Sequence, residues 1–97
     1  MTTIWKYKMT AASTDHPIVL DIPGYGGTLA AGLDSNNDVC VWVLADTTAA
    51  YEEVTYFCLG TGWDLSEVDM PKGHSLKHIA SVNQFGFIWH VFEEVLG

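Results

Sequence analysis

The chain has 97 residues, four lysines, no arginine and twelve acidic residues, for a formal net charge of -8 and a pI near 4.5. That length holds a single small domain, residues 1–97, and a 48% hydrophobic content is too high for a disordered chain. Four cations cannot neutralise a phosphate backbone or a lipid headgroup layer, so direct nucleic-acid binding and a cationic membrane helix are excluded, and no apolar run reaches the roughly 20 residues of a bilayer span.

The elements read mainly as strands. Ile4 to Met9 alternates, with Trp5, Tyr7 and Met9 facing in and Lys6 and Lys8 facing out. Pro17 to Ile22 is a second short strand, closed by the loop Pro23-Gly24-Tyr25-Gly26-Gly27. Leu29–Leu33 and Val39–Ala45 flank the turn signal Asp34-Ser35-Asn36-Asn37-Asp38 and predict a hairpin. Val39 to Leu44 is apolar on both faces, as a central strand covered on both sides would be, which puts Trp42 in the core. Val54 to Leu59 is a further strand. Leu76–Val82 and Phe85–Phe92 surround Asn83-Gln84 and predict a second hairpin, with Trp89 in the core. Leu76, Ile79 and Ala80 also match helical spacing, so Leu76 to Ala80 has a turn and a half of helix as its alternative reading. Thr47 to Glu52 is expected to form a turn or two of helix. Asp64 with Glu67 has the form of a capping box, ended by Pro71. The predicted class is therefore α+β but β-dominated: a mostly antiparallel sheet with short helices. A compact chain of this mass exposes roughly 5,500 Å².

The residues suited to chemistry are scattered. Zinc sites usually show a close pair of ligands, yet Cys40 and Cys58 are 18 positions apart. His74 and His78 share a face on a strand but stand about 13 Å apart there, too far for one ion. Asp34 to Asp38 resembles the opening of a calcium loop in composition only, without its glycine or closing glutamate. Gly24-Tyr25-Gly26-Gly27 and Gly60-Thr61-Gly62 lack the lysine of a phosphate loop, and no nucleophile elbow occurs. No metal, no cofactor and no catalytic residue is expected. The first residues contain no apolar signal core, so both cysteines are expected to be reduced and buried.

The charge is uneven. Residues 11–71 carry ten carboxylates and no base. A one-sign field of this kind repels itself and suits a partner with a basic groove. Two clusters offer such a surface: Asp34, Asp38 and Asp46 around the first hairpin, and Glu52, Glu53, Asp64, Glu67 and Asp69 beyond it. Trp63, beside Gly62 and Asp64 in a turn, is the tryptophan placed for binding.

Three runs carry a family resemblance: Thr2-Thr3-Ile4-Trp5-Lys6-Tyr7-Lys8, Leu59-Gly60-Thr61-Gly62-Trp63, and Phe87 to Glu94. Over its full length the chain resembles phage-encoded anti-CRISPR proteins that block the type I-F surveillance complex. The resemblance implies a non-catalytic inhibitor in the cytoplasm of an infected bacterium. Such a protein mimics DNA at the large subunit and adjacent backbone subunit, competing with the target duplex without binding nucleic acid or membrane. The alternatives from the residues alone are an acidic phage or prophage domain of structural or unknown role, and a small sugar- or metal-binding module.

Overall fold

The computed structural model describes residues 1–9 and 17–97. These form seven strands: β1 (Thr2–Lys8), β2 (Ile18–Pro23), β3 (Gly27–Leu33), β4 (Val39–Asp46), β5 (Tyr51–Gly60), β6 (His74–Gln84) and β7 (Phe87–Leu96). They pair antiparallel into two sheets, A in the order β1-β4-β3 and B in the order β2-β5-β7-β6. The accessible surface is 5591 Å², close to that expected of a compact chain.

Alternation sets the core. On β4 the residues Val39, Val41, Val43 and Ala45 face sheet B, which answers with Ile22, Val54, Tyr56, Cys58, Val82 and Val91. Each such side chain taken fully from water contributes on the order of 1.5–3 kcal/mol. The intervening β4 residues Cys40, Trp42 and Leu44 lie on the other face of sheet A. β4 is thus the central strand its sequence predicts, but Trp42 is half-buried on the outer face and not in the core. The correction has a simple cause: both faces of β4 are apolar, and only one is covered by the second sheet. Trp89 packs against the core as expected.

One polar cluster joins the layers. Glu93 on β7 is only 8% exposed; it accepts hydrogen bonds from Tyr25 Oη at 2.7 Å and Thr28 Oγ1 at 2.8 Å. Tyr56 and Thr28 also share a hydrogen bond through their hydroxyls. Burial raises the Tyr25 and Tyr56 hydroxyls above the ordinary phenol range, so both stay protonated donors.

Two local expectations change, and an open one is decided in favour of strand. Thr47 to Glu52 is not helical: Asp46 Oδ1 accepts from Thr48 N–H and Oγ1, closing a turn that delivers Tyr51 into β5. Leu76 to Ala80 is strand, and the register shift between His78 and Ala80 inserts Ile79 as a bulge, which accounts for the apparent helical spacing. The second hairpin turns at Phe85-Gly86, two residues beyond the predicted Asn83-Gln84, with φ of 52° and 89°. Two successive positive φ values are what a tight two-residue hairpin turn demands. The only helical element among the described residues is a 3₁₀ turn, Leu65–Glu67, capped by Asp64 through Ser66 N–H at 2.9 Å. Both cysteines are free and buried, and burial pushes the Cys58 thiol up to about 11.

Candidate functional site: the acidic side of sheet B

Pairing divides the carboxylates into two populations. On sheet A, Lys6 Nζ lies 3.0 Å from Asp34 Oδ2, Lys8 Nζ 3.6 Å from Asp38 Oδ2, and the N-terminal amine 3.1 Å from Asp46 Oδ1. Asp34 also accepts the N–H groups of Asn36 and Asp38. Its carboxyl is held at about 2, chiefly by the Asp38 N–H and then by Lys6. Asp46 sits at about 2 through Thr48 and the N-terminus. These three acids therefore organise turns and ion pairs. Lys6 and Lys8 lie far from them in sequence, and the register of β1 on β4 brings them across.

The rest of the described acids lie on sheet B and its loop: Asp21, Glu52, Glu53, Asp64, Glu67, Asp69, Glu93 and Glu94, against Lys72 and Lys77. Asp15 is outside the described residues. Asp21 and Glu53 are directly opposed on β2 and β5. Both point away from the core, since Ile22 and Val54 beside them point in. The adjacent cavity, about 400 Å³, is lined by Tyr25, Glu52, Glu53, His74, Glu93 and Glu94 among others. His74 Nδ1 is 3.2 Å from Glu94 Oε2.

The segment 61–73 connects this end to the other. Gly60 pairs with Trp89, and His74 with Leu96, seven positions further along β7, so the segment spans about 23 Å of sheet. It carries Asp64, Glu67 and Asp69 from the Gly60 end toward Glu52 and Glu53. Asp64 caps the 3₁₀ turn, and its bonds to Ser66 hold its carboxyl below the usual range. The predicted cluster Glu52, Glu53, Asp64, Glu67 and Asp69 is thus split between the start of β5 and this crossover.

Trp63 is half-buried and lines a second cavity of about 290 Å³, with Leu59, Thr61, Leu65, His90 and Phe92. A chain of hydrogen bonds backs it: Thr61 Oγ1 to His90 Nε2 at 2.7 Å, His90 Nδ1 to Ser81 Oγ at 2.8 Å, and Ser81 Oγ to His78 Nε2 at 3.1 Å. Thr61, Ser81 and His90 carry no signal in the sequence, their spacings of 20 and 9 forming no motif, and His78 stands out there only beside His74. Asp21 did have a signal, being the one charge in an otherwise apolar strand.

Among the described residues no three His, Cys, Asp or Glu side chains could hold a metal ion together, and no helix is long and apolar enough to cross a membrane. No curated protein and no solved structure matches the chain. A match does extend over residues 1–96 to one family, and the chain accordingly belongs to the family described as Domain of unknown function (DUF7352).

Proposed function

We propose that the protein is a non-catalytic acidic binding domain whose sheet B side docks in a basic, nucleic-acid-handling groove of a partner protein. In its specific form, drawn from the sequence resemblance, it is a DNA mimic that keeps the target duplex out of the type I-F CRISPR surveillance complex. The observation that carries the reading is the segregation of charge. Sheet A's acids are answered by Lys6, Lys8 and the N-terminus, whereas the exposed Asp21, Glu52, Glu53, Asp64 and Asp69 of sheet B and its crossover are ion-paired with no cation among the described residues. Like charges set directly opposite each other are destabilising, so the Asp21–Glu53 pair works against the fold and favours a cationic partner. A lysine- and arginine-lined groove would meet these carboxylates with charge-assisted hydrogen bonds and would capture the protein faster by steering.

The experiment is a competition on the purified surveillance complex: labelled duplex against increasing protein, across a salt series. The reading requires displacement that weakens as salt rises. Failure to displace duplex there, together with retention of another basic DNA-handling protein on immobilised domain at low salt, keeps the basic-groove reading and removes the CRISPR target. No salt-sensitive partner of either kind removes both.

A further inference from the structure

The crossover cavity is a formed space that the acidic-side reading does not use. Trp63 N–H donates to the Gly60 carbonyl at 3.2 Å, and its indole meets Trp89 edge-on, with centroids 5.5 Å apart at 90°. A Cβ on Gly60 would sit 2.8 Å from Trp63 Nε1 and 2.7 Å from Phe87 Cζ, so glycine is what allows both rings to close on β5. The Trp63 ring is therefore held in place before any ligand arrives, which lowers the ordering cost of binding. Leu59, Leu65 and Phe92 complete the apolar lining.

The polar edge is Thr61. Its hydroxyl oxygen lies 3.4 Å from the Ile88 carbonyl, at the weak end of the hydrogen-bond range, and 2.7 Å from His90 Nε2. His90 Nδ1 and His78 Nε2 both meet Ser81 Oγ, so the hydrogen-bonded chain ends at Thr61. With His90 Nε2 protonated, the exposed Thr61 hydroxyl accepts from it, and its own proton, held only by the long Ile88 contact, can turn to a ligand acceptor.

Size and charge narrow the occupant. An apolar cavity of about 150 Å³ takes benzene, and this one is about 290 Å³. Asp64 and Glu67 on the same segment disfavour anions. We propose that the cavity binds a small neutral planar aromatic molecule, of one or two fused rings, that presents one hydrogen-bond acceptor to Thr61. The proposal is independent of the acidic-side reading.

The test uses quinoline, whose ring nitrogen accepts, and indole, which matches it in shape but donates. Both are titrated into the whole labelled protein and followed by the Trp63 Nε1–H and Gly62 amide resonances. Quinoline should bind tighter than indole by roughly three- to tenfold, the worth of one hydrogen bond. Thr61→Val should abolish that preference while leaving indole affinity unchanged. Leu65→Glu, a change at a residue 52% exposed, should weaken both probes without altering the melting temperature. No shift at millimolar probe, a preference that survives Thr61→Val, or occupancy by methyl glucoside in place of the aromatics would each overturn the proposal.

Discussion

Asp21 on β2 stands directly opposite Glu53 on β5, both facing away from the core, and no cation answers either among the described residues. Opposed residues of this kind have Cβ atoms about 4.5–5.5 Å apart, and like charges there cost about 0.2–1 kcal/mol. Glu53→Lys replaces repulsion with a cross-strand ion pair to Asp21. Its expected effect is a gain of about 0.5–1 kcal/mol in unfolding free energy, shrinking with added salt. Urea denaturation at low and high ionic strength measures it. A loss of stability at low salt would show that Asp21 and Glu53 do not interact.

Phe85 occupies the left-handed region at φ 52° with 84% of its surface exposed. A non-glycine residue there costs roughly 1–2 kcal/mol, and asparagine bears it best. Phe85→Asn would create the Asn-Gly pair that two-residue hairpins favour. We expect an increase in stability of about 0.5–1 kcal/mol, by analogy with other substitutions that fit the native backbone. Thermal unfolding of the single variant decides it.

The two turn aspartates set the acid limit. Asp34 and Asp46 both titrate at about 2 in the folded chain, below the ordinary carboxylate value near 3.9. Between those values the unfolded chain binds more protons than the folded one, so stability rises with pH there. The contribution is fully present above about pH 4 and is lost as pH falls through about 2. The melting temperature of the wild type should drop across that window. Asp34→Asn with Asp46→Asn should melt lower at pH 7 and show a flatter profile in acid.

The tryptophans separate core from surface. Trp89 packs on the core, donates to Gln84 Oε1 at 2.9 Å and holds the Phe87 and Trp63 rings. Trp89→Ala should cost about 3–5 kcal/mol, enough to threaten a domain of ordinary stability. Trp42→Ala removes a half-buried ring from the outer face of sheet A and should cost about 1–2 kcal/mol. Equal costs at the two sites would contradict the assignment of faces.

Those two residues also show where sequence patterning runs out. Local patterning located the strands, alternation in β1, with Trp5, Tyr7 and Met9 inward and Lys6 and Lys8 outward, and runs apolar on both faces in β4 and β7. The same pattern is silent on which apolar face of β4 meets the second sheet, since that depends on the partner layer. A bulge at Ile79 left Leu76–Ala80 open between strand and helix, because one inserted residue breaks the period. The 61-residue stretch with ten acids and no base is a property of chain order. Strand pairing brings Lys6 and Lys8 to Asp34 and Asp38 and leaves sheet B as the acidic side. The His90–Ser81–Thr61 chain left no trace in the sequence, being assembled from three separate segments.

That segregation gives the binding prediction its sharpest form. Replacing Glu52, Glu53, Asp64, Glu67 and Asp69 together by Gln or Asn removes charge from sheet B while leaving the core and the sheet A pairs in place. The fold should persist, and relief of self-repulsion acts in its favour. Affinity for the basic partner should fall steeply, with about tenfold or more lost for each charge-assisted contact removed. The salt dependence of binding should flatten in the same variant, since fewer ion contacts remain to be screened. Neutralising Asp34 and Asp38, which already face lysines, should change affinity far less. Lys6→Gln with Lys8→Gln offers the converse: it frees those two carboxylates and should leave binding unchanged or slightly stronger. A five-residue variant that still competes like wild type, beside an Asp34 and Asp38 variant that fails, would move the binding side to sheet A. Full competition by both variants would end the mimicry reading.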